Sequence, residues 1–189
     1  MKKLLLFIVL VSCNSFSQNN ELNKLFFNIP LYSSRDSIYN FFDNATFITK
    51  KKKNKYRVTK NGIEIKTFNG YHNKIETVDK KIDSIHFKLS TGSKSKKGES
   101  NNKNLIVVSL NYKINDKRIS EDSYEKFKEQ IIDVLKLNPT GSNKDVDNKK
   151  KKIGISCYWI LENEEIVQLE YRIINKKEYK IRIEFNRIE

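Results

Sequence analysis

Residues 153–185 read IGISCYWILENEEIVQLEYRIINKKEYKIRIEF, and their alternation decides the fold class. Ile153, Ile155, Cys157, Trp159 and Leu161 share one parity; Val167, Leu169, Tyr171 and Ile173 form a second set, and Tyr179, Ile181, Ile183 and Phe185 a third. Between them stand Gln168, Glu170, Arg172, Lys180, Arg182 and Glu184. A period of two with one apolar face marks half-buried β-strands. The stretch is therefore a three-stranded antiparallel meander with one wet face. Keeping the apolar faces aligned pairs Ile173 with Tyr179. The same register sets Glu170 opposite Arg182, a cross-strand charge pair.

Moving toward the N-terminus, residues 120–135 change period. Tyr124, Phe127, Ile131, Val134 and Leu135 fall at helical spacing. Ser120 is read as the cap, Glu121 and Asp122 as a first turn suited to the helix dipole, and Lys136 as the last turn. Asn138-Pro139-Thr140-Gly141 stops the helix. Ser142–Lys152 (SNKDVDNKKKK) then reads as a hydrophilic linker.

Further upstream lie two one-sided strands, Ile85-Phe87-Leu89 and Ile106-Val108-Leu110-Tyr112. The tract between them, Ser90–Asn104, has no apolar residue and is read as a mobile loop. Before these, residues 56–68 alternate around Asn61-Gly62, a dipeptide suited to a two-residue type I′ turn. That turn pairs Lys60 with Ile63 and Val58 with Ile65, and puts Val58 and Ile65 on one face. Ser33 followed by Asp36 resembles a capping box, and Ile38, Phe41 and Phe42 follow at helical spacing, so a short helix is expected over 34–43. Leu22–Pro30 is an apolar lead-in that packs on the domain edge.

The whole reads as α+β: an antiparallel sheet of about seven strands, in two helix-plus-meander halves, with two helices packed on one face. The layout resembles, in topology alone, helix-plus-meander modules of the bacterial periplasm, such as small outer-membrane assembly lipoproteins and secreted β-lactamase-inhibitor proteins. No site residue follows from that resemblance.

Residues 1–17, MKKLLLFIVLVSCNSFS, have the basic start, short apolar run and small-residue end of a secretory signal peptide. The run Leu4–Val11 is too short to span a bilayer, so no transmembrane helix is expected in the mature chain. Cleavage before Gln18 leaves a single domain, residues 18–189, with loops at 90–104 and 138–152. A rival site, Leu10-Val11-Ser12-Cys13, resembles a bacterial lipobox and would make Cys13 a lipidated N-terminus. The chain is thus expected in the periplasm or secreted, or tethered to the outer membrane through Cys13. Either outcome leaves Cys157 without an intrachain partner, and it is read as a buried hydrophobe in a strand.

The formal net charge of +14 comes mainly from lysine. Candidate anion contacts are Lys94, Lys96, Lys97, Lys149, Lys150, Lys151 and Lys152, with Lys50–Lys53 as a third tract. An AT-rich coding composition accounts for the same excess of Lys, Asn and Ile.

Chemistry-bearing motifs are missing from the sequence. His72 and His86 belong to no HExxH, and no Cys/His set has zinc spacing. There is no GxSxG, Walker loop or GxGxxG. Asp145 and Asp147 lack the glycine and terminal glutamate of a calcium loop. Glu162, Glu164 and Glu165, near Trp159, read as a charged hairpin turn rather than a glycosidase pair.

No catalytic, cofactor or metal residue is assigned. The expected function is a non-catalytic exported binding or envelope-associated module, its partner another envelope protein or an anionic surface. Two alternatives stand beside it: a basic binder of lipopolysaccharide, acidic lipid or nucleic acid, and a secreted hydrolase with a dispersed site.

Overall fold

A computed structural model of the chain describes residues 20–58, 63–72, 82–94, 103–146 and 152–188. Its centre is one eight-stranded antiparallel sheet in the order β1-β2-β3-β4-β8-β7-β6-β5. The strands are β1 (Ile48–Val58), β2 (Ile63–His72), β3 (Ile82–Lys94), β4 (Lys103–Ile114), β5 (Gly141–Val146), β6 (Lys152–Ile160), β7 (Ile166–Asn175) and β8 (Glu178–Ile188). Three helices accompany them: α1 (residues 20–25), α2 (Arg35–Asn44) and α3 (Lys117–Leu135). Each half is a helix followed by a four-stranded meander. The halves meet last strand to last strand, β4 against β8.

The strand count is eight, not about seven. The additional strand is β5, in the tract expected to be a linker. Its sequence, GSNKDV, has no alternation to betray it; the β6 edge supplies its hydrogen bonds instead. Likewise β3 and β4 run into the expected 90–104 loop, as far as Lys94 and back from Lys103.

The alternation elsewhere settles the faces. Phe68, Phe87, Leu110, Ile183, Leu169 and Trp159 are all fully buried on the helix-bearing side. The register pairs Ile173 with Tyr179 and Glu170 with Arg182, as expected. The first hairpin differs: Val58 faces Ile63 and Tyr56 faces Ile65. Four residues, not two, separate the paired ends. Val58 and Ile65 still share a face, because a shift of two preserves parity.

The short helix lies within one residue of its expected span, but both helices are capped by other residues than expected. Helix α2 is capped by Ser34, whose Oγ accepts from the Ser37 amide at 3.3 Å, so Ser33 and Asp36 do not form the box. Helix α3 begins one turn before Ser120. Asp116 is its cap and accepts from the Ile119 amide at 2.9 Å. Ser120 lies inside, fully buried, donating to the Lys117 carbonyl at 2.6 Å. Lys136 closes the helix in the left-handed region, at φ 55°.

The lead-in Leu22–Pro30 is core rather than edge: Leu22, Phe26 and Ile29 are fully buried. Phe27 stacks on Phe47 at 6.0 Å and meets Phe87 edge-on at 5.2 Å. Phe42 of α2 sits 5.0 Å from Phe68. Gly70 lets the bulged start of β1 approach, since a Cβ there would lie 2.2 Å from Ile48 Cγ2.

Candidate functional site

The helices occupy one side of the sheet. Its other side is covered by no helix among the described residues, and the register writes it out row by row. One row crosses all eight strands: Thr49, Tyr71, His86, Asn111, Arg182, Glu170, Ser156 and Asn143. A neighbouring row runs Asn69, Lys88, Ser109, Glu184, Gln168 and Tyr158. Every residue in these two rows is polar or aromatic.

An ion network occupies the middle. Glu170 is only 8% exposed at its side chain and is held from two sides. Arg182 reaches its Oε2 at 2.7 Å, and Arg172 Nε donates to its Oε1. Arg182 also approaches Glu184 at 3.7 Å. Glu184 accepts in addition from Ser109 at 2.8 Å and Asn186 at 3.2 Å. Arg172 extends the chain to Asp145 on β5 at 3.8 Å. The network thus ties β4, β5, β7 and β8 together.

Around Asn111 the balance tips to positive charge. Asn111 is buried, and its amide donates to the His86 carbonyl at 3.3 Å. Its neighbours on the same face are His86 and Arg182 across the ladder and Lys113 and Ser109 along its strand. Lys88, Lys180, Ser84 and Glu184 stand on the diagonals. Lys113 pairs with Glu178 at 3.5 Å. Lys88 and Lys180 have no carboxylate partner among the described residues.

The consequences are visible in the titrating groups. Burial, then Lys180 and Lys88, push the His86 imidazole below its ordinary value. Burial and then Arg182 lower the Lys180 ammonium; Glu170 pulls the other way, and Arg172 and Lys88 add weaker repulsion. Tyr71 stacks on His86 at 4.9 Å and 28° and is 42% exposed, giving an aromatic flank.

Toward one end the same face turns apolar. Leu105 faces Ile188, and Ile160 faces Ile166. Leu105, Ile160 and Ile188 are each at least 40% exposed.

The lysines singled out from sequence lie elsewhere. Lys94 ends β3 and Lys152 opens β6, and the register sets these positions at opposite ends of the sheet. Lys96, Lys97, Lys149, Lys150 and Lys151 lie outside the described residues, as do Cys13 and the whole of residues 1–19. In the third tract, Lys51 donates to the Asp43 carbonyl and Lys53 pairs with the Asp43 carboxylate, so both are tied to the end of α2.

The other sequence candidates take structural places. Cys157 is a free, buried thiol that accepts from Tyr124 at 3.4 Å, and burial pushes its pKa up. Trp159 is fully buried and donates to the Leu137 carbonyl at 3.1 Å. Glu162–Glu164 form a single 3₁₀ turn with Glu162 and Glu164 exposed. Asp145 is bound up with Arg172. Among the described residues no group of three or more His, Cys, Asp or Glu is placed to hold a metal ion. An acidic groove runs along α3, where Glu121, Asp122, Glu125 and Glu129 surround Tyr124 and Tyr171.

Sequence reading reached the Glu170–Arg182 pair because two neighbouring strands and a short turn fix it. The ring around Asn111 had a partial signal, the polar parity of His86, Lys88, Lys180 and Arg182. The order of strands that joins them had none. No helix is long and apolar enough to cross a membrane among the described residues. No family model, curated protein or solved structure matches the chain.

Proposed function

We propose that this chain is an exported, non-catalytic binding module whose working surface is the helix-free face of its sheet. The partner that face fits carries negative charge. One observation carries the reading: the centre of the face is a pre-ordered ionic and hydrogen-bonded platform around Glu170 and Arg182, bordered by unpaired Lys88 and Lys180. Buried ion pairs contribute little net stability compared with apolar residues of similar size. A sheet needing only stability would be served as well by aliphatic side chains there. Exposed Leu105, Ile160 and Ile188 on the same face add the apolar border common in protein interfaces. Export rests on the reading of residues 1–17.

Site-specific photo-crosslinking in the producing cell tests this. Probes replacing Tyr71 and Ile160, on the open face, should give one discrete adduct whose yield falls as salt rises. A probe replacing Glu129, exposed on α3, should not. Equal adducts from all three positions, or none from the open face, would overturn the proposal. The mass of the mature N-terminus separates the two cellular forms. A start at Gln18 means a free protein, and a lipid increment on Cys13 means a tethered one.

A further inference from the structure

We infer that the block of side chains around Asn111 is a binding site for a phosphate monoester group, held chiefly by Lys88 and Lys180. The inference deepens the reading of the open face and rests on it. Three strands build the block: β3 contributes His86 and Lys88, β4 contributes Ser109, Asn111 and Lys113, and β8 contributes Lys180, Arg182 and Glu184. Directly opposed residues stand about 5 Å apart and diagonal ones about 7–8 Å. Lys88 and Lys180 occupy opposite diagonals of Asn111, so their long side chains can close over it from two corners.

The charges already present are mostly spent. Glu184 is taken by Ser109, Asn186 and Arg182, Glu170 by Arg172 and Arg182, and Lys113 by Glu178. Two ammonium groups remain unpaired among the described residues. The Arg182 Nε–H is also buried without an acceptor there. A buried donor left unsatisfied is costly, and an oxyanion within reach would relieve it.

Charge selects the ligand. Two uncompensated ammonium charges match a doubly charged oxyanion better than a single carboxylate. Lysine is a compact point charge that suits phosphate oxygens without demanding bidentate geometry. Burial is the main cause that lowers the affinity of His86 and Lys180 for their protons, and the cations around them add to it, so an anion placed among them would be favoured. The phosphate can come free in solution or on a lipid headgroup, and the chemistry at Lys88 and Lys180 is the same.

Calorimetric titration of the full chain separates these sources. One arm adds inorganic phosphate. The other adds phosphatidylcholine vesicles with and without phosphatidic acid. Saturable binding in either arm is expected, weakened about tenfold by Lys88→Ala or Lys180→Ala and abolished by the pair, as for loss of charge-assisted bonds. Binding in the vesicle arm alone, lost in the double variant, assigns the site to a lipid headgroup and sustains the proposal. Both lysines are exposed, so circular dichroism of the variants should match the parent. Absence of binding in both arms, or binding undiminished in the double variant, would overturn it. Such a failure would leave the open-face crosslinks intact, so it is distinguishable from failure of the broader reading.

Discussion

Phe42, Phe68 and Phe87 fill the first half of the sheet, where Trp159, Tyr124, Tyr171 and Tyr179 fill the second. Both halves follow one plan, a helix and then a four-stranded meander. The first half meets its ten-residue helix with phenylalanine rings at 5–7 Å and carries its polar side chains outward. The second half meets a nineteen-residue helix with rings that carry polar atoms, and each has a hydrogen-bond partner, which for Tyr179 is the Lys176 carbonyl in the turn. Tyr124 bonds Cys157, Ser120 approaches Tyr171 at 3.4 Å, and Trp159 bonds the Leu137 carbonyl. One topology thus accepts a greasy core or a hydrogen-bonded one, provided the buried polar atoms are paired.

Truncations should expose the contrast most strongly. Phe87→Ala should cost about 3–5 kcal/mol, and Trp159→Ala a similar amount, read from chemical denaturation. Trp159→Phe separates the halves: it keeps most of the ring but leaves the Leu137 carbonyl without its donor, for a loss of about 1–3 kcal/mol. No such partial variant exists for Phe87. If Trp159→Phe were neutral, the hydrogen-bonded description of the second core would fail.

Glu170→Ala tests the network outside the second core. It leaves Arg172 and Arg182 facing each other, but both are partly solvated at 55% and 34% exposure. The loss should therefore be about 2 kcal/mol, below that for a fully buried pair. Glu170→Gln should recover part of it.

The caps come next. Asp116→Ala should cost about 1 kcal/mol, and Ser34→Ala no more than that, because the Ser34 bond is longer. A larger loss for Ser34 would mean that the first half depends on its short helix more than on its rings.

The smallest effect is a pH response at His86, on the strand next to the seam. His86 binds its proton less readily folded than unfolded, so below about pH 6.5 the unfolded chain gains the proton first. Its contribution to stability is present above that value and is lost as the pH falls through it. His86→Gln should flatten this part of the profile. Lys180→Met should raise the melting temperature slightly at neutral pH, since it removes a charge whose environment disfavours it. A melting temperature lowered by Lys180→Met would contradict the repulsion argued around Asn111.

The second half was the more legible in sequence, and for a physical reason. Its strands are half-buried, so their alternation is complete, and the Lys176–Lys177 turn between β7 and β8 leaves one sensible register. Strand β5 escaped because an edge strand paired on one side needs no alternation. In the first half, the Asn61-Gly62 signal named the right hairpin and the wrong pairing. Ser120 looked like a cap because its type suits one, yet its hydroxyl turns inward toward Tyr171. The candidate site was readable only as fragments. His86, Lys88 and Asn111 meet through the pairing of β3 with β4, and only pairing across the seam brings Arg182 beside them.

That seam has a bearing on how the chain folds. The pairing of β4 with β8 joins residues such as Ser109 and Glu184, 75 positions apart. Strand β8 is last of the eight in sequence and inner in space, so neither meander can bury its final edge until the other is present. Contacts of such separation slow folding, since the loop must close before they form. Until β8 arrives, β4 offers an open edge flanked by apolar residues, the feature that invites pairing with the wrong strand. The seam that assembles the open face is thereby also the step at which aggregation competes with folding.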